Sequence, residues 1–114
     1  MEHHPQMHFP KENVSSFGSQ KTTIQWFRRA EEATHFMLRR FELDANGFIG
    51  LHQHPEEHQM YVLKGPIILL DKENHETKVE SDEFCYMPPN EIHGYRNPNK
   101  FPVSFLCGIP KLKK

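Results

Sequence analysis

Between Thr22 and Ile109 the chain is cut by Gly, Pro, Asn and Asp at intervals of about 8 to 12 residues, and no stretch between the cuts carries a helical period long enough to bury one face. That punctuation restricts it to an all-β sandwich or barrel of about eight to ten short strands. The first strand is expected over residues 22–29, where Ile24 and Trp26 alternate with polar neighbours. A second covers 35–43 and is expected to end at the turn Asp44-Ala45-Asn46-Gly47, because Asn-Gly favours positive φ. Residues 58–64 form a third strand, and 67–70 with 76–80 a hairpin around Asp71-Lys72-Glu73-Asn74. Residues 84–87, 93–97 and 103–109 complete the series, the first two stopped by Pro88 and Pro98.

Alternation assigns faces. In 35–43, Arg40 and Glu42 belong in water, so Met37, Arg39, Phe41 and Leu43 point inward and Arg39 lies inside the barrel or at its mouth. An inward guanidinium needs either a core carboxylate or an acidic ligand. If His58 points inward so do Met60 and Val62, which turns Gln59, Tyr61 and Leu63 outward. That mixed outer face suggests a homodimer interface.

A chain of 114 residues forms one domain. Residues 1–20 are polar and without period and read as an extended N-terminal arm, leaving 21–114 as the barrel. His3, His4 and His8 sit in the arm and are set aside as ligands. Fourteen basic residues against 15 acidic ones create no field for nucleic acid or an anionic membrane, so the expected partner is a small-molecule substrate. No apolar run approaches the ~18 to 20 residues of a membrane span, and no secretory leader opens the chain. With Cys85 and Cys107 read as free thiols, a cytoplasmic location is expected.

Nine histidines are the one outlying count. His52 and His54 are two apart, so on a strand both leave the same face. His58 follows the Pro55-Glu56-Glu57 turn and opens the next strand, and His93 arrives on another strand after the Pro88 bend. A barrel can bring these four to one point, which suggests a single bound metal ion. His35 and His75 fit no such pattern and read as surface residues.

The stretch Gly47…His52-X-His54-X3-His58-X6-Gly65 resembles the first motif of the cupins, which usually reads HXH, three or four residues, Glu, six residues, Gly. Asp82-X5-Pro88-X-Asn90-X2-His93-X3-Asn97 resembles the second, which usually reads Gly, five, Pro, X, Gly, two, His, three, Asn. Asp82 and Asn90 replace glycines, but both tolerate left-handed backbone. His58 replaces the usual Glu, which leaves a divalent ion with about two positive charges instead of one and favours an anionic or enolate ligand.

The resemblance implies a single-domain cupin-type jelly-roll β-barrel, or double-stranded β-helix, with a four-histidine metal site of His52, His54, His58 and His93. Four imidazoles leaving two open positions point to Fe, Mn or Ni ahead of Zn or Cu. Arg39 and Tyr95 are the expected catalytic residues, and Phe41, Met60, Phe105 and Cys107 the expected pocket wall. The implied activity is a dioxygenase-like oxidoreductase acting on a small chelating or anionic substrate. The alternatives are a metal-dependent isomerase or lyase on a sugar acid, and a non-catalytic small-molecule-binding barrel.

Overall fold

A computed structural model describes residues 1–112. It contains nine strands: β1 (Glu12–Asn13), β2 (Gln20–Arg28), β3 (Phe36–His52), β4 (His58–Lys64), β5 (Ile67–Asp71), β6 (Glu76–Val79), β7 (Phe84–Met87), β8 (His93–Arg96) and β9 (Val103–Pro110). The described residues contain no α-helix, only 3-10 turns at Gln6–His8 and Ser16–Gly18, so none is long and apolar enough to cross a membrane. All pairings are antiparallel, in the order β6-β5-β8-β3-β9-β4-β7, with β2 and then β1 added on β3. This is a nearly closed all-β barrel, as the strand punctuation allows, with the jelly-roll form that the resemblance implies.

The 17-residue β3 organises the barrel because it serves two layers: residues 36–43 pair with β9 and 48–52 with β8. The turn expected at Asp44-Ala45-Asn46-Gly47 does not end a strand. Between Thr22↔Leu43 and Gln20↔Phe48, β2 advances two residues while β3 advances five, so the segment is a bulge inside one continuous strand. Asn46 does take the left-handed conformation (φ 65°). The carbonyls freed there are satisfied from a distance: buried Asn97 donates its Nδ2 to the carbonyls of Leu43 (3.0 Å), Asp44 (3.0 Å) and Phe101 (2.8 Å). The bend aims the last residues of β3 at β8.

Cross-strand register builds the interior in rows. Ile24, Phe41, Phe105 and Val62 face one another across β2, β3, β9 and β4, and all are buried. The next row is Trp26, Arg39, Cys107 and Met60, continued to Cys85 on β7. A cation therefore occupies a row otherwise made of apolar and sulfur-bearing side chains. Residues 6–14 run back along β2, where β1 pairs with it and Gln25 donates its Nε2 to the Phe9 carbonyl at 2.9 Å, and residues 16–19 turn onto β3. At the other end, Lys111 donates its Nζ to the Ala33 carbonyl (3.0 Å), whereas Lys113 and Lys114 of the basic tail lie outside the described residues.

Candidate metal centre

His52 ends β3 and is register-paired with His93, the first residue of β8. His54 lies in the loop after β3, and its carbonyl accepts the Asn90 amide at 2.9 Å, which ties the turn before β8 to the histidine loop. Asn90 and Asp82 hold φ of 64° and 66°, the left-handed backbone that asparagine and aspartate accept at small cost. His52, His54 and His93 each offer a ligand nitrogen, and the three nitrogens lie within 4.8 Å of one another.

Their tautomers follow from their partners. Nδ1 of His52 faces the Gly50 carbonyl (2.7 Å), that of His54 the Glu56 carbonyl (2.9 Å) and that of His93 the Glu91 carbonyl (2.8 Å). A carbonyl only accepts, so each Nδ1 carries the proton and each Nε2 presents a lone pair. Nε2 of His93 is buried with no hydrogen-bond partner. A buried lone pair with no donor facing it, beside the lone pairs of two half-buried imidazoles, suits a divalent metal ion.

His58 stands outside that set of three. Its Nε2 lies 2.5 Å from Nε2 of His54, and its Nδ1 faces Cys107 Sγ at 2.9 Å and Tyr95 Oη at 3.5 Å. Because His54 Nε2 is a lone pair, His58 Nε2 carries the proton between them. No carbonyl fixes this tautomer. If the proton moves to Nδ1, Cys107 and Tyr95 can accept it and Nε2 becomes available as a fourth ligand.

Burial and nearby positive charge favour the neutral form of His52, His58 and His93. Burial lowers His93 to about 4. Burial first, then the Arg39 guanidinium and the neighbouring imidazoles, lower His58 to about 2, and burial also lowers His52. Neutral imidazole is the form that binds metal.

Arg39 sits above the Trp26 ring (5.5 Å) and the Phe41 ring (5.0 Å) and donates from Nη2 to Cys107 Sγ at 3.0 Å. Its Nε is buried without a partner, and no ion pair among the described residues includes it. Of the two partners an inward arginine could have, the core carboxylate is not there. Tyr95 is fully buried behind the histidines, with its ring 5.5 Å from His93 and its hydroxyl toward His58 Nδ1 and Met87 Sδ. Burial raises its phenol well above the ordinary value, so it is a neutral hydroxyl. Phe41 stacks on Phe105 (5.1 Å), Phe105 packs on Tyr95 (5.0 Å), and Met60 and Cys107 are wholly buried beside them.

Two neighbours of the site were not singled out from the sequence. Trp26 covers Arg39, which alternation on β2 allowed but did not demand. Phe17 stacks on His52 with ring centroids 4.4 Å apart and planes 5° apart. Its only signal is an aromatic residue before glycine in an otherwise polar arm.

A family model described as "Cupin domain" matches residues 39–109. Among solved structures, the polyketide cyclase RemF from Streptomyces resistomycificus superposes with a TM-score of 0.89 at 27% identity, covering 98% of this chain and 80% of that one. A predicted oxalate decarboxylase from Thermotoga maritima gives 0.82 at 19% identity, covering 95% and 97%. A cupin-2 domain from Rhodospirillum rubrum gives 0.78 at 20% identity, covering 99% and 76%. No curated protein matches the chain. The motif residues, the barrel and the family match over residues 39–109 agree: the chain belongs to the cupin domain family.

Proposed function

We propose that the protein is a metal-dependent enzyme that binds an enolisable, chelating carbonyl compound and promotes its ring closure. His52, His54 and His93 would hold a divalent ion, with His58 as the fourth ligand once its proton has moved to Nδ1. When bound, such an ion supplies Lewis acidity that lowers the cost of forming an enolate. Arg39 carries the reading: it is a cation with an unpartnered buried N–H and no carboxylate, in the row next to the histidines. A developing oxyanion would take that N–H, and the Trp26 and Phe41 rings would hold the guanidinium in place while keeping water off it. Tyr95, facing Nδ1 of His58, would act through that ligand and not on substrate. Ring closure as the reaction class rests on the likeness to the polyketide cyclase over nearly the whole chain.

A dioxygenase-like reaction on a similar substrate is the second reading. It is favoured by the all-imidazole donor set, which suits redox iron as well as zinc. One experiment separates the two. Protein purified without added metal is analysed for elements beside a His93→Ala control, then the Zn(II) and Fe(II) forms are incubated with linear polyketones under an oxygen electrode. Cyclised product without oxygen uptake in either form supports the proposal, whereas uptake by the Fe(II) form alone favours oxygenation. Less than a tenth of an equivalent of transition metal, with His93→Ala unchanged in thermal stability, would remove the metal centre from both readings.

The proposal includes a homodimer. Phe36, Tyr61, Phe84 and Leu106 line an open groove of about 610 Å³ on the outer face of β4 and β9, and Phe36 is 70% exposed. Sedimentation equilibrium at the mass of two chains supports it. Both cysteines are free, which fits a reducing compartment such as the cytosol.

A further inference from the structure

We infer that Phe17 caps the metal centre on its His52 side, holding the ligand ring in its plane and slowing exchange of the bound ion with solvent. The inference rests on reading His52 as a ligand. Phe17 lies parallel to the His52 ring at 4.4 Å, yet 57% of the residue is exposed. The ring thus forms the layer between that face of the ligand and water. Burial of its own surface explains its position only in part, because more than half of it stays in water.

The chain maintains the stack at a cost. Phe17 occupies left-handed backbone (φ 58°, ψ 29°), which an aromatic residue adopts only where its surroundings impose it. Gly50 makes room for that backbone. A Cβ at Gly50 would lie 1.9 Å from the Phe17 carbonyl oxygen, so this approach of the arm to β3 requires glycine. Gly50 also donates its amide to Ser19 Oγ (3.3 Å) and accepts the His52 Nδ1 proton at 2.7 Å. One glycine therefore docks the arm and sets the tautomer of His52, and the docked arm places an aromatic ring on that imidazole. The N-terminal segment becomes part of the centre.

The test uses zinc as the probe and the full chain. Wild type, Phe17→Ala, Phe17→Tyr and Gly50→Ala are loaded with one equivalent of Zn(II), and its release to 4-(2-pyridylazo)resorcinol is timed. The His52 ring protons are followed by NMR in the metal-free proteins, and thermal unfolding reports on folding. Phe17→Ala and Gly50→Ala are expected to release zinc about tenfold faster, the lower end of what loss of a ligand-supporting contact does to metal sites. Phe17→Tyr should stay near wild type. Loss of the phenyl ring current should move the His52 protons downfield in Phe17→Ala. Unchanged His52 resonances, or equal release rates in folded variants, would overturn the cap while leaving the metal centre intact. A wild-type chain that takes up no zinc would overturn the metal-centre reading and the cap with it.

Discussion

Cys107 Sγ lies 2.9 Å from His58 Nδ1, which makes His58 the one histidine of the cluster oriented by a side chain and not by a carbonyl. A thiol can donate to Nδ1 or accept from it, so this contact tolerates either tautomer, whereas the carbonyls at the other three rings do not. Cys107→Ala should remove that tolerance. We expect metal affinity to fall about tenfold and stability by about 1 kcal/mol for the emptied volume. Cys107→Ser, which keeps a donor and acceptor, should recover the affinity but not all of the stability. Isothermal titration with Zn(II) and denaturant unfolding give the two numbers, and equal affinity in Cys107→Ala would contradict the role assigned to the thiol.

Arg39 separates anion binding from metal binding. Arg39→Met keeps the bulk beneath Trp26 and removes the charge, so affinity for an anionic chelator such as oxalate should fall by roughly tenfold or more, as loss of a charged hydrogen bond implies. Metal affinity should hold or rise, since the guanidinium repels charge on His58, His93 and His52. Arg39→Lys should recover only part of the anion affinity, because an ammonium lacks the flat face that rests on the two rings. Parallel loss of both affinities would mean that Arg39 is a packing residue.

His58→Glu tests the charge of the centre. A carboxylate in place of the fourth imidazole lowers the net charge around a divalent ion by one, so zinc should remain bound while affinity for the same anion weakens. Competition titrations against wild type measure it, and tighter anion binding in the variant would contradict the charge reasoning.

The barrel was legible because strand length, alternation and turn residues are local properties. Asp82 and Asn90 adopt the left-handed backbone that their residue types permit. The bulge at Asn46-Gly47 was not legible, because turn chemistry specifies a local φ and does not say whether the strand resumes beyond it. Continuation of β3 depends on donors from Asn97, some fifty residues away. The histidine spacings indicated a cluster, but that three nitrogens converge while His58 turns toward Cys107 depends on the pairing of β4 with β9. Contact between Phe17 and His52 crosses thirty-five positions without any period, so nothing in the arm announces it.

Acid should destabilise the metal-free protein well above the carboxylate range. His93 titrates at about 4 and His58 at about 2 in the native state, while the unfolded chain takes up those protons near the ordinary imidazole value of about 6.5. Below about 6.5 the unfolded state binds more protons, so stability declines as pH falls through the window toward about 4, and above it both forms are neutral and the dependence vanishes. We expect Tm to drop by about 5 °C or more between pH 7 and pH 4.5, with a shallower slope in His93→Gln. Calorimetry at fixed ionic strength decides it, and a flat wild-type profile would mean that the imidazoles protonate freely in the native state.

Asn97 links the fold to the site most directly. Its Nδ2 serves three carbonyls, two of them at the bulge that carries β3 toward His52, and its Oδ1 accepts the Asn99 amide at 2.8 Å. Asn97→Ala leaves these groups without partners in a buried setting, at a cost of about 2 to 4 kcal/mol. The bulge should also loosen, so zinc affinity should fall in the fraction that remains folded. Asn99→Ala is the control: it removes the Nδ2 bonds to the Pro66 carbonyl (2.8 Å) and to Asn97 Oδ1 (2.9 Å) but leaves Asn97 Nδ2 on the β3 carbonyls, and should cost less stability and no affinity. Denaturant unfolding and zinc titration of both variants give the comparison. If Asn97→Ala unfolds like wild type, the bulge is set by the Asn46-Gly47 backbone alone, and the path from β8 to His52 runs through the β3–β8 register instead.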